Sequence, residues 1–138
     1  QPFVSKDGRF LFFSSDRPGG VGKFDLWLCV LGNDGLPKKQ AINLGRINTV
    51  EEDESPFYHD ATTQLFFSSN GRVGFGGFDL YVSKGTIGSF TAPQNLGEPF
   101  NSPKDDSYFT SLSFNIFSSI FYILFDLFSF ISSFVGSL

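Results

Sequence analysis

The stretch Leu11-Phe12-Phe13-Ser14-Ser15 returns unchanged at residues 65–69, 54 positions further along the chain. At the same offset, Gly20-Val21-Gly22-Lys23-Phe24-Asp25-Leu26-Trp27 returns as Gly74-Phe75-Gly76-Gly77-Phe78-Asp79-Leu80-Tyr81. An internal repeat of this length indicates one supersecondary unit that is used more than once. We therefore expect a first repeat over residues 1–54 and a second over 55–106. Residues 107–138 are expected to begin a third repeat that runs into an apolar tail.

The runs within each repeat have the pattern of buried β-strands. Apolar side chains of the run 24–31 fall on both faces of a strand: Phe24, Leu26, Leu28 and Val30 on one, Trp27, Cys29 and Leu31 on the other. A strand that is apolar on both faces is covered on both sides. Sheets stacked face to face around an axis, as in a β-propeller, provide that cover.

Turn residues separate the runs and set their number. Asp7-Gly8 is a hairpin signal between runs 2–5 and 9–15. Glycines at 32–35 and 85–88 close the next turn of each copy, and a weaker run follows at 39–43 and 90–94. The prediction is an all-β chain with about two four-stranded antiparallel blades. Because the chain has no Met and Gln1 aligns with Ser55 inside a repeat, we expect a propeller fragment whose other blades lie outside it.

The tail changes character after Ser111 and admits three interpretations. Phe117-Ser118-Ser119 echoes the repeat, which suggests a degenerate third blade. Apolar residues at 114, 117, 121, 124, 128, 131 and 135 have helical spacing, which suggests a membrane helix. Asp126 opposes that interpretation at a cost of about 2.5–3.5 kcal/mol. The third interpretation is out-of-frame sequence, which we favour as the origin of the tail. Whatever its origin, we expect the tail to be an apolar, helical segment.

Composition excludes several function classes. A net charge of −4 argues against a nucleic-acid partner. His59 is the one histidine, so a histidine-rich metal site is excluded within this chain. The lone Cys29 has apolar neighbours and is expected to be a buried, inert thiol. The sequence has no Gly-x-Ser-x-Gly motif. We therefore predict that the chain is not an enzyme and has no catalytic residues.

The glycine-rich loops are expected to be structural. A phosphate-binding loop requires a helix after the glycines, and here a strand follows. Each glycine-rich loop is expected to join two strands with positive φ angles, with Gly22 and Gly76 among its structural residues. Asp25 and Asp79 begin equivalent strands, and such residues commonly accept N–H bonds from the preceding loop. The same role is predicted for Asp16 and Asn70.

Acidic clusters recur where one unit passes into the next. In a propeller this crossing lies at the same face as the loop between the second and third strands, which predicts one charged face for partners. Its predicted residues are Arg17, Lys23, Glu51, Glu52, Asp53, Glu54, Arg72, Asp105 and Asp106. Calcium is the one ion considered, because repeated carboxylates could supply oxygen ligands. Its candidate ligands are Asp53, Glu54, Asp105 and Asp106, although a solvated loop without metal or cofactor is the favoured interpretation.

The repeated motifs resemble the TolB-type, WD40-like propeller repeats of bacterial envelope proteins. In the first copy the resembling residues are Ser5 to Asp16, Gly19 to Gly22, Asp25-Leu26-Trp27, Asn43-Leu44-Gly45 and Ile47-Asn48-Thr49. In the second they are Leu65 to Asn70, Gly74 to Gly77, Asp79-Leu80-Tyr81, Asn95-Leu96-Gly97 and Phe100-Asn101-Ser102. One departure is Asp60-Ala61-Thr62-Thr63, which replaces the Asp-Gly hairpin in the second copy.

The resemblance implies a non-catalytic scaffold for protein–protein interaction. Similar repeats occur in OmpA-family proteins and in type IX secretion components, which implies a periplasmic or outer-membrane location. One alternative is the accessory propeller of a hydrolase or peptidase whose catalytic domain lies outside this chain. Another is a propeller that binds a small ligand or glycan through aromatic rim residues. Membrane contact is considered for the tail alone.

Overall fold

The computed structural model of the chain describes residues 1–107, which form two four-stranded sheets. The first sheet contains β1 Phe3–Val4, β2 Phe10–Ser15, β3 Asp25–Val30 and β4 Ile42–Asn43. The second contains β5 Asp53–His59, β6 Gln64–Ser69, β7 Asp79–Lys84 and β8 Gln94–Asn95. Short 3-10 turns lie at Gly45–Ile47 and Asp60–Thr62. All strand pairs are antiparallel and follow chain order, so each sheet is a meander.

The two sheets have the same register, as the repeat predicts. Phe13 faces Trp27 across β2 and β3, and Phe67 faces Tyr81 across β6 and β7. The predicted all-β fold with two four-stranded antiparallel sheets is therefore confirmed for the described residues. The second sheet begins at Asp53, two residues before the predicted unit boundary, because Asp53 and Glu54 already pair with Ser69 and Ser68. The predictions for the tail fall on residues outside the described range.

The hydrophobic core lies between the two sheets. Its buried side chains come from both copies: Phe12, Leu26, Leu28, Ile47, Tyr58, Leu65, Phe67 and Tyr81. Phe12 stacks on Tyr58 with ring centroids 5.1 Å apart, which joins the second strand of one sheet to the first strand of the next. Burial of each large side chain contributes about 1.5–3 kcal/mol, so this cluster is the main source of stability between the sheets.

Opposite faces of the repeat meet in this core. The first sheet contributes Phe12 and Leu26, whereas the second contributes Phe67 and Tyr81. By the repeat offset, the latter two correspond to Phe13 and Trp27, which lie on the other face of the first sheet. The sheets therefore stack head to tail rather than about a two-fold axis. This stacking explains why the central strands are apolar on both faces.

The first hairpin of each unit closes differently. Gly8 has φ +71° at the Asp7-Gly8 turn, a left-handed conformation that suits glycine. In the second unit, the 3-10 turn Asp60–Thr62 ends on Thr63 at φ +50°. The Asp60-Ala61-Thr62-Thr63 stretch thus still connects paired strands, although a threonine now takes the left-handed position. Among residues 1–107, no helix has the length and apolar character that a membrane span requires.

Candidate interaction surfaces

A buried carboxylate holds the loop between β2 and β3. Asp25 accepts hydrogen bonds from the backbone N–H of Val21 and, at 3.0 Å, from that of Gly22. The Asn43 side chain donates to the same carboxylate at 2.7 Å. Asn48 then donates to Asn43 Oδ1 at 3.0 Å and binds both backbone groups of Leu26. These bonds connect the loop to three other segments of its unit through buried polar groups.

The second unit repeats this arrangement residue by residue. Asp79 accepts N–H bonds from Phe75 at 2.6 Å and Gly76 at 3.2 Å. Asn95 donates to Asp79 at 3.3 Å, and Asn101 donates to Asn95 at 2.7 Å. Asn101 also binds the N–H and C=O of Leu80. The repeated Asp, Asn-Leu-Gly and second Asn therefore form one hydrogen-bond network in each unit, which we call the Asp–Asn–Asn network.

Gly22 and Gly76 are required by space rather than by backbone angle. The positive φ expected of the glycine-rich loops occurs at Gly19, at +92°, and not at Gly22 or Gly76. A Cβ on Gly22 would lie 2.6 Å from Glu51 O and 2.7 Å from Val50 C. A Cβ on Gly76 would lie 2.9 Å from Ser102 O. At both sites the loop passes against the backbone of the segment that leaves the unit, and only glycine allows that approach.

We expect Gly22→Ala to lower the free energy of unfolding by about 2 kcal/mol, because the added methyl group meets fixed backbone atoms. Gly45→Ala is the matched control, since a Cβ there meets nothing within 4 Å. Only its left-handed φ of +56° opposes alanine, and the expected loss in free energy of unfolding is about 1 kcal/mol. Urea denaturation of both variants measures the difference. A larger loss for Gly45→Ala would contradict the spatial explanation.

The segment 48–52 connects the two units and lies between their loops. On one side, Lys23 N–H donates to Glu51 O at 3.0 Å and Asp53 N–H donates to Phe24 O at 2.8 Å. On the other, Glu52 N–H donates to Asn70 Oδ1 at 2.9 Å, and Asn70 Nδ2 donates back to the Glu52 carboxylate at 3.1 Å. These bonds join the two loops and the segment into one continuous surface. We call it the loop face, and it consists of residues 16–24, 48–52 and 70–78.

Two residues of the predicted charged face turn out to be internal. Asp53 is fully buried and pairs with Arg72 at 2.9 Å. Arg72 is 18 % exposed, donates to Ile47 O, and lies over the rings of Phe67 and Tyr81. Asp53 also accepts bonds from Thr49 N at 2.5 Å and Thr49 Oγ1 at 2.9 Å. This ion pair fixes the loop that carries Arg72 and leaves little of either charge for a partner.

Arg17 and Asp16 differ from their counterparts in the second unit. Arg17 stacks over Phe13 and Trp27, yet it forms no ion pair within residues 1–107. Asp16 is exposed and, over the same range, makes no side-chain hydrogen bond, unlike Asn70. The difference follows from strand length. β1 pairs only with residues 11 and 12 of β2, whereas β5 extends along β6 to Ser69. This pairing brings Asp53, and Glu52 just before β5, beside Arg72 and Asn70.

The remaining charged residues lie nearer the surface. Lys23 and Glu51 form an exposed ion pair at 2.5 Å across the loop face. Asp105 is exposed and accepts a bond from Phe78 N at 3.1 Å. Asp106 accepts bonds from Ser102 N and Oγ, as Asp53 does from Thr49. Glu54 pairs with Ser68 at the start of β5. Within residues 1–107, no group of three or more His, Cys, Asp or Glu residues could hold a metal ion.

The loop face also carries exposed apolar side chains that the sequence pattern did not predict. Eight large apolar side chains of the described residues are exposed, and five of them lie here: Val21, Phe24, Val50, Val73 and Phe75. Val73 is fully exposed and Val50 is 70 % exposed. For the four on the glycine-rich loops, that position was the available signal; Val50 lies on segment 48–52. The loop face is therefore a mixed apolar and charged surface.

A cavity lies at the opposite ends of the strands. It has a volume of about 460 Å³ and is formed by the Asp7-Gly8 hairpin, the Asp60–Thr62 turn and the turn at 85–88. Its lining residues are Asp7, Arg9, Phe10, Tyr58, Asp60, Thr86 and Ile87. We call the surface around these three turns the turn face.

Comparisons of the chain with protein-family models, with curated proteins and with solved structures give no match. The resemblance to TolB-type repeats therefore stays a prediction, which rests on motifs that recur twice in the same order.

Proposed function

We propose that the two sheets are blades of a non-catalytic β-propeller that binds protein partners in the bacterial cell envelope. The head-to-tail stacking supports the propeller arrangement, because the two sheets meet through opposite faces of the repeated unit. Such stacking can be continued by further copies of the same unit. A closed propeller has about four to eight blades, so further blades of the same repeat complete it.

The exposed apolar side chains of the loop face are the observation that carries the binding role. Contiguous exposed apolar surface with a polar surround is typical of protein interaction sites. Val50 lies on segment 48–52, between the loop of Val21 and the loop of Val73 and Phe75. The Asp–Asn–Asn network holds both loops, so this surface is preorganised and loses little conformational entropy on binding.

Site-specific photo-crosslinking tests this proposal. A photoreactive residue at Val73 or Val50 is expected to crosslink one discrete partner protein in envelope preparations of the source cells. Leu36 is the matched control, because it is an apolar side chain, 64 % exposed, in the turn between β3 and β4. Crosslinks from Leu36 alone would place the partner surface at the other end of the strands. The absence of crosslinks from all three positions would contradict a protein-binding role.

A further inference from the structure

We propose that the cavity on the turn face binds a small organic cation that carries an apolar arm. This site lies at the opposite strand ends from the loop face and involves none of its residues, so it is independent of the protein-binding role proposed above. Its volume of about 460 Å³ falls within the range of small-molecule sites. Three separate turns from both units build it, so it exists only when the two sheets are packed together.

The charges that line the cavity favour a cation. Asp7 and Arg9 pair at 2.6 Å and neutralise each other. Hydrogen bonds from the Ser5 hydroxyl, the Arg9 backbone and the Arg9 guanidinium lower the pKa of Asp7 to about 2, so its carboxylate stays ionised in mildly acidic as well as neutral solution. Asp60 forms no ion pair with any residue in the described part of the chain. One carboxylate charge therefore remains without a cationic partner.

The Asp60 carboxylate has a fixed position and spare acceptor capacity. Lys6 N–H donates to its Oδ2 at 3.0 Å, which orients the side chain across the gap between the two units. A carboxylate can accept about four hydrogen bonds through its two oxygens. The Asp60 charge also affects the neighbouring Tyr58. Burial raises the pKa of the Tyr58 hydroxyl, and the carboxylates of Asp60 and Asp7 raise that pKa further.

The other walls suit an apolar arm. Phe10, Tyr58 and Ile87 line the cavity, and the Tyr58 hydroxyl is already used, since it donates to Gly85 O at 3.2 Å. An aromatic or aliphatic group can therefore contact these side chains without leaving a buried polar group unpaired. Primary amines that carry an aromatic or aliphatic arm are ligands of this class.

Three probes of matched shape test the site: 2-phenylethylamine, 2-phenylethanol and phenylacetate. Two-dimensional NMR of the full chain follows the amides of Lys6, Asp60 and Ile87 during titration. We expect the amine to bind about tenfold more tightly than the alcohol, as for a charge-assisted hydrogen bond, and phenylacetate to bind least. Equal effects of the three probes, or no saturable binding of the amine, would overturn the proposal.

Two variants assign the effect to this cavity. Asp60→Asn keeps an oxygen for Lys6 N–H and is expected to reduce amine affinity about tenfold, to that of the alcohol. Asp34→Asn is the matched control, because Asp34 also accepts a turn N–H, from Leu36 at 3.0 Å, and lies outside the cavity lining. Ile87→Lys places an ammonium group at the cavity wall and is expected to abolish amine binding. Unchanged amine affinity in Asp60→Asn would overturn the assignment.

Discussion

Replacing Arg72 with methionine is expected to lower the free energy of unfolding by about 3 kcal/mol. Methionine preserves much of the packing over Phe67 and Tyr81 but leaves the fully buried Asp53 without its cation. Removing one member of a buried ion pair typically costs about 3–5 kcal/mol, because an uncompensated charge stays buried. The remaining bonds from Thr49 to Asp53 place the expected value at the lower end. Chemical denaturation of the full chain measures this loss.

Arg17→Met is the matched control for this prediction. Arg17 also stacks over an aromatic pair of its own sheet, Phe13 and Trp27, but it has no carboxylate partner among residues 1–107. Its replacement is expected to cost less than about 1 kcal/mol, the value of an exposed cation–π contact. The difference between the two variants isolates the ion pair with Asp53. Similar losses in both would show that ring stacking, rather than the ion pair, gives these arginines their effect.

Replacing Asp79 with alanine is expected to lower the free energy of unfolding by about 3 kcal/mol. The change removes bonds from Phe75 N, Gly76 N and the Asn95 side chain at once. One hydrogen bond to a charged group contributes about 1.5–3 kcal/mol, so about 3 kcal/mol is a lower value for the three together. Asp79→Asn is expected to cost about 1–2 kcal/mol, because one oxygen acceptor remains. Thermal and urea unfolding of both variants provide the measurement.

Asp105→Ala is the control for the Asp79 series. Asp105 is an exposed aspartate that accepts a single bond from the same loop, at Phe78 N. Its loss is expected to cost less than about 1 kcal/mol, since water can replace the carboxylate at an exposed position. If Asp79→Ala were no more destabilising than Asp105→Ala, the Asp–Asn–Asn network would contribute little to stability.

The strands and their pairing could be predicted from the sequence because each depends on local signals. Runs that are apolar on both faces and the turn residues between them located β2 and β3 to within one residue, and the repeat then predicted two sheets of four strands. Asp25 and Asp79 were also identifiable, since an aspartate after a glycine-rich loop can bond that loop within a few residues. The head-to-tail orientation of the sheets required the structure.

Features that depend on long-range contacts could not be predicted. Arg72 and Asp53 are 19 residues apart, and nothing local distinguishes them from Lys23 and Glu51, whose charges stay exposed. The spatial requirement for glycine at position 22 also depends on such contacts, because the sequence reveals a glycine but not the backbone that passes beside it. The cavity on the turn face was equally hidden, because its lining comes from turns of both units.

Buried carboxylates hold the glycine-rich loops as a fixed surface. Native-state hydrogen exchange at Phe75 and Gly76 tests it most directly, because both N–H groups donate to Asp79. We predict that these two amides exchange much more slowly than that of the fully exposed Val73 in the same loop. In Asp79→Ala they should exchange as fast as Val73, while the equivalent amides of Val21 and Gly22 stay protected. Rapid exchange of Phe75 and Gly76 in the unaltered chain would contradict the claim.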